Sequence, residues 1–200
     1  MKLYCSHTSP YARKVRLLIH EKGAAARVAE ETVAAMEDPA ALHEANPLGK
    51  VPALVMNDGT SWFDSPVICE VLDAVLEGPA LIPASNVERF RVLRQQAIAD
   101  GIMDAAVSII FERNRKDAEQ SATWLGRWER AILRSLALLE AEVTDLDGPV
   151  DLGVISVGAA LGYLDFRHAS LGWQEKFPEL AGWWRDIAKR PSFVGTAPPV

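Results

Sequence analysis

The stretch Asn46-Pro47-Leu48-Gly49-Lys50-Val51-Pro52-Ala53-Leu54 sets two prolines and a glycine directly ahead of an apolar run that continues through Val55 and Met56. Proline lacks an N–H, so Pro52 belongs at the first residue of a strand or on a sheet edge, not inside a ladder. An X-Pro bond also adopts the cis form at modest cost, usually in a tight turn. A cis Val51–Pro52 bond turns the Val51 N–H and C=O outward and leaves a strand-like edge with which a short peptide can pair. Taken alone, the stretch is more simply a loop that enters a strand. Its surroundings decide.

Upstream, residues 2–5 read as a short first strand. Ser9-Pro10 is an N-cap followed by proline at the first helical position. Tyr11, Val15, Leu18, Ile19 and Lys22 then recur at helical spacing, and Gly23 stops the helix. Residues 27–32 form a second strand and residues 39–45 a short helix. Downstream, residues 53–56 are a strand, Asn57-Asp58-Gly59 is a turn, and residues 60–63 return as the other arm of a hairpin. Ser65-Pro66 repeats the cap-and-proline start of a helix that runs to about Leu76, before Gly78-Pro79. The order is β-α-β-α-β-β-α over residues 1–78.

Residues 79–86 change texture and read as a linker, and residues 87–200 read as an all-helical domain. Within it, helices are expected at 87–113, at 122–143 with the stripe Leu125, Trp128, Ile132, Leu136 and Leu139, and at 178–189. Residues 149–166 are expected to be a buried helix capped by Asp151. Arg190-Pro191 ends the last helix, and the tail reads as irregular.

The 200 residues carry 49% hydrophobic and 24% charged side chains, enough for a sizeable core. A net charge of −6 argues against a nucleic-acid partner. Cys5 and Cys69 are the only cysteines, as expected of a reducing, cytoplasmic setting. The start of the chain lacks the apolar core of a signal peptide. The most apolar stretch, 152–164, is shorter than the roughly 20 residues of a membrane span. His7, His20, His43 and His168 show no paired ligand spacing, so no metal is expected.

Together these features resemble the glutathione S-transferase superfamily over essentially the whole chain. Thr8-Ser9-Pro10-Tyr11-Ala12-Arg13-Lys14-Val15-Arg16 is similar to its first-helix motif, Asn46 through Leu54 to its cis-proline motif, and Asp64-Ser65 to its acidic-serine pair. The resemblance implies a thioredoxin-like N-terminal domain that binds glutathione and a helical C-terminal domain that shapes a pocket for a second substrate. Two departures stand out. Ser9-Pro10-Tyr11-Ala12 lacks both cysteines of the related disulfide-exchanging folds. Asp151 is followed three residues on by Val154, so the reciprocal half of a capping box is missing.

The resemblance also implies residue roles. Ser9, besides capping the helix, donates its hydroxyl to the glutathione thiolate; one hydroxyl can do both. Asp64 accepts the γ-glutamyl ammonium, while Ser65 takes the γ-glutamyl carboxylate. Val51 pairs through its backbone, and Lys50 is either a partner of the glycyl carboxylate or a plain loop lysine. Tyr4 is either the hydroxyl that some branches of the superfamily use instead or, by its strand pattern, core, and Cys5 reads as a small buried hydrophobe. Arg13, Lys14 and Arg16 are either a solvated face or a positive field that draws in glutathione. Asp100 and Asp104, one turn apart, either reach a partner subunit's site or repel each other in water. Ile109, Phe111 and the tail around Phe193 are expected to line the second pocket. The implied function is conjugation of glutathione to a small hydrophobic electrophile by a cytoplasmic homodimer. The alternatives are a non-catalytic glutathione- or protein-binding module, or another glutathione-dependent reaction such as isomerisation or dehalogenation.

Overall fold

The computed structural model describes residues 1–199. Four strands, β1 (Lys2–Cys5), β2 (Ala29–Thr32), β3 (Ala53–Val55) and β4 (Ser61–Phe63), form one sheet in the order β2-β1-β3-β4. β1 and β2 are parallel, because helix α1 (Pro10–Glu21) carries the chain back across the sheet between them. β3 runs antiparallel to β1, with Tyr4 opposite Ala53, and β4 antiparallel to β3, with Ala53 opposite Phe63. Helix α2 (Ala40–Ala45) precedes β3, and α3 (Ser65–Val75) follows β4. This is the expected thioredoxin-like βαβαββα order.

The helical remainder comprises α4 (Asn86–Arg113), α5 (Ala122–Ala141), α6 (Leu152–Arg167), α7 (Trp173–Lys176), α8 (Pro178–Ile187) and α9 (Pro191–Gly195). α6 is apolar on every side and is buried from Leu152 through Leu164, as a helix without a polar face must be. Asp151 caps it, accepting the Val154 N–H at 3.0 Å. The helix runs against α1, and small residues set that approach. A methyl group at Gly162 would collide with the Arg13 guanidinium, and one at Gly158 with the Phe193 ring. No helix among the described residues is long and apolar enough to cross a membrane.

Residues 79–86 are fastened rather than loose. Asp73 accepts the Leu81 and Ile82 N–H groups at 2.9 and 3.0 Å and pairs with Lys22 at 2.8 Å. Leu81 is itself buried, and its carbonyl accepts the Leu152 N–H.

Several local expectations are corrected. The second strand begins at Ala29, since residues Ala25–Arg27 make a single 3-10 turn that lets Val28 into the core. The tail folds into α9, because Pro191 ends one helix and occupies the first turn of the next. Phe193 is then buried edge-on to Trp184. The short helix α7 carried no sequence signal, and α6 starts at Leu152 rather than 149. Most of all, Arg13, Lys14 and Arg16 are not a solvated face: all three are buried. α1 is covered by α3 on one side and by α4, α6 and α9 on the other, so its charged positions are enclosed as well as its apolar ones.

Candidate functional site

Sheet register brings the sequence motifs together. Ala53 lies between Tyr4 on one neighbouring strand and Phe63 on the other. The residues that follow Tyr4, precede Ala53 and follow Phe63 therefore leave the same end of the sheet. These are the turn to Ser9, the Val51–Pro52 bond and the Asp64-Ser65 pair.

The Val51–Pro52 bond is cis. Among the described residues no hydrogen bond engages the Val51 N–H or C=O. Asn46, almost fully buried, holds the loop from within: its amide donates to the Lys50 carbonyl at 2.8 Å and its oxygen accepts the Leu48 N–H at 3.0 Å. This positioning role was missed in the sequence, where Asn46 reads as an ordinary turn residue. Lys50 is exposed and forms no ion pair among the described residues.

Asp64 caps α3, but not as a side chain: its φ is +65° and ψ 129°, and its carboxylate makes no cap bond. A non-glycine residue in that region is held against its preference, a condition found mostly at functional sites. Ser65 is the first helical residue rather than the expected cap. Its hydroxyl is buried and has no hydrogen-bond partner among the described residues. Buried hydroxyls are almost always paired, so this one calls for an acceptor from outside the chain.

Ser9 caps α1, accepting the Ala12 N–H at 3.3 Å. The bond uses an oxygen lone pair and leaves the hydroxyl proton unassigned. Tyr11, two residues on, donates to Asp104 at 2.5 Å, and burial followed by that carboxylate holds its phenol well above its ordinary value. Lys14, fully buried, meets Asp100 at 2.6 Å. Burial holds Asp100 above the ordinary carboxylate range; Lys14 opposes the shift, and the fields of Asp104 and Asp64 add to it. Asp100 and Asp104 thus both engage α1 of their own chain. Tyr4 and Cys5 are core, as expected. Burial raises the Cys5 thiol and pushes that of Cys69 up to about 12, so neither is a thiolate at neutral pH.

A narrow cleft opens at the α1 N-terminus. His7, Thr8, Ser9 and Pro10 form one wall, Arg13 lies one turn along, and Tyr163 of α6 and Pro198 face them. Of the residues expected at a second pocket, only the tail, through Pro198, reaches this cleft. Phe193 is core, Phe111 is half exposed, and Ile109 lines a separate hollow with Ile132 and His168. Cys5, His7 and Glu30 bring one donor atom each to within 4.8 Å, a grouping the histidine spacing did not signal. Arg16 already pairs with Glu30 at 2.8 Å and competes with any cation for that carboxylate.

Comparison with known proteins agrees with this geometry. A family model described as the glutathione S-transferase N-terminal domain matches residues 8–75. The chain is 39% identical over 202 residues to the uncharacterized GST-like protein YibF of Escherichia coli K12, covering 100% of this chain and 99% of the relative. A glutathione transferase family member from Pseudomonas fluorescens Pf-5, solved with bound glutathione, superimposes with a TM-score of 0.96 at 43% identity, covering 100% of this chain and 99% of that one. A second structure from that organism, with bound S-(propanoic acid)-glutathione, gives a TM-score of 0.92 at 42% identity and covers 100% of both chains.

Proposed function

Since the chain belongs to the glutathione S-transferase superfamily, we propose that it binds glutathione at this end of the sheet and conjugates its thiolate to a small hydrophobic electrophile. The observation that carries the reading is the buried, unpartnered Ser65 hydroxyl at the head of α3. A carboxylate there accepts the hydroxyl and the free N–H groups of the first turn, on the side favoured by the helix dipole. In this reading the carboxylate is the γ-glutamyl one. Asp64, held at positive φ beside it, accepts the ammonium. The cysteinyl amide pairs with the free Val51 edge, and Lys50 meets the glycyl carboxylate.

The thiol then lies at Ser9. Its proton leaves to solvent, and the Ser9 hydroxyl donates to the sulfur anion while its oxygen keeps the cap bond. The thiolate attacks the electrophile in the cleft bounded by Tyr163. The S-propanoate group on the Pseudomonas ligand supports room for a substituent at the sulfur.

We also propose two domains, 1–78 and 87–200 with 79–86 between them, in a cytoplasmic homodimer built on α3 and α4. Val67, Val87 and Phe90 are exposed on these helices, and Arg89 ties them together through Glu70. Gly101 is exposed with nothing within 4 Å of where its Cβ would stand, so no packing among the described residues explains it. Calorimetric titration with glutathione, followed by turnover against a panel of electrophiles, tests the main reading. No binding refutes it. Binding without turnover on any electrophile leaves the binding module instead.

A further inference from the structure

Three cations of α1 are buried, and two of them are neutralised: Lys14 by Asp100 and Arg16 by Glu30. Arg13 is the exception. It is 7% exposed, yet among the described residues it faces no carboxylate within ion-pair distance. Among those residues its one hydrogen bond runs from Nη2 to the Phe193 carbonyl at 3.1 Å, and its Nε is buried with no partner. Asp165 on α6 is near enough for its field to favour the charged guanidinium. Its oxygens are already occupied, however, by the indole N–H groups of Trp173 and Trp184 and by the Gln174 amide.

A buried guanidinium that no carboxylate pairs with, and whose Nε proton has no acceptor, is costly unless an anion arrives. The Phe193 ring lies 6.0 Å from the guanidinium and offsets part of that cost, but it leaves the Nε proton unpaired. The position of Arg13 says where the anion comes from. It stands four residues after Ser9, and helical side chains lean toward the preceding turn, so the guanidinium lies over the turn that begins at Ser9. It lines the cleft there together with Tyr163, whose hydroxyl makes no hydrogen bond among the described residues and reaches solvent.

We propose that Arg13, assisted by the Tyr163 hydroxyl, is a carboxylate subsite for the second substrate. The electrophile this protein takes is then a small acid whose carboxylate lies a few bonds from the carbon that glutathione attacks. This rests on the glutathione reading above and adds a charge requirement to it. In a displacement the S–C bond forms as the bond to the leaving group breaks, and that group departs with the electron pair. The carboxylate is unchanged throughout and serves to aim the carbon at the sulfur. Its charge would otherwise repel an incoming thiolate, and the guanidinium offsets that repulsion.

The test uses two inert products that differ only in this charge, S-carboxymethylglutathione and its neutral amide S-carbamoylmethylglutathione, with glutathione as a third titrant. By calorimetry the wild-type protein should bind the acid about tenfold tighter than the amide, as expected for hydrogen bonds to a charged group. Arg13→Gln should bring that ratio close to one. If Arg13→Gln does not fold, Arg13→Lys and Tyr163→Phe carry the test, and each should lower the ratio several-fold. Equal binding of acid and amide by a wild-type protein that binds glutathione overturns the subsite alone. So does a ratio unchanged in the variants. Failure to bind glutathione overturns both this inference and the reading beneath it.

Discussion

Ser9 bears two roles on one hydroxyl, and substitutions can separate them. Its cap bond to the Ala12 N–H is 3.3 Å, long for this interaction, so Ser9→Ala should cost at the low end for a lost cap, about 0.5–1 kcal/mol. The donor role is larger. A hydrogen bond to a charged sulfur is worth about 1.5–3 kcal/mol, or about 1–2 pKa units of the bound thiol at 1.36 kcal/mol each. Ser9→Ala should therefore raise the thiol toward its free value of about 8.5 and lower kcat/KM at neutral pH about 10- to 100-fold. Ser9→Asp is the sharper probe. Aspartate caps a helix as well as serine, so stability should stay within about 0.5 kcal/mol of wild type. Its charge opposes a neighbouring thiolate, so the thiol should rise above the free value and turnover should fall further than in Ser9→Ala. Denaturant unfolding, ultraviolet titration of the bound thiolate and steady-state kinetics on the same preparations give all three quantities. A Ser9→Asp protein that keeps wild-type turnover per folded molecule would show that Ser9 is a cap and nothing more.

Ser65→Ala should weaken glutathione binding about tenfold without lowering unfolding stability, because the lost hydroxyl has no partner among the described residues; a clear destabilisation in denaturant would show that the hydroxyl is satisfied. Asp64→Ala should weaken binding by about 1.5–3 kcal/mol through loss of the ammonium's charged partner, read by calorimetry. Lys14→Met and Asp100→Leu should each cost about 3–5 kcal/mol by stranding the other charge, whereas the double variant should cost far less than their sum. Additive losses in denaturant unfolding would argue against a coupled pair. Burial lowers the pKa of His168, whose ring meets the Ala106 carbonyl at 3.0 Å. The folded protein thus resists a proton that the unfolded chain accepts below about pH 6.5, and stability should fall as pH drops through that value, by at most about 1.4 kcal/mol per unit. His168→Gln should remove that part of the slope, and an unchanged profile would assign it to other groups.

Much of the fold is written in short-range chemistry and is legible for that reason. A serine before a proline, an Asn-Asp-Gly turn and an aspartate ahead of an apolar run act on residues two to four positions away, and Ser9 and Asp151 cap the helices expected of them. The Asn46-to-Leu54 stretch, the first-helix motif and the Asp64-Ser65 pair could be named as a site because each is a local pattern, although their roles came only through the resemblance. Pro191 shows the limit of such signals. In sequence it reads as a stop, but it also occupies the first turn of α9, where Phe193 is buried against Gly158 of α6.

The rest depended on residues far apart in the chain. A run of Arg13, Lys14 and Arg16 looks like a solvent face in one dimension, yet α1 is enclosed between its own sheet's helices and those of the C-terminal half. Lys14 finds its carboxylate 86 residues away, and Arg13 its single carbonyl 180 residues away. Sequence spacing carries no information about such partners, so it could not reveal that two of these cations are neutralised and the third is not. The same holds for the Ser65 hydroxyl. Its residue type was enough to suggest a ligand contact, but whether it is already satisfied depends on what the folded chain places around it. Local preferences act through a few neighbouring dihedrals and can be read from the string, whereas burial and charge balance are sums over every element that closes on a residue, and only the packed structure fixes them.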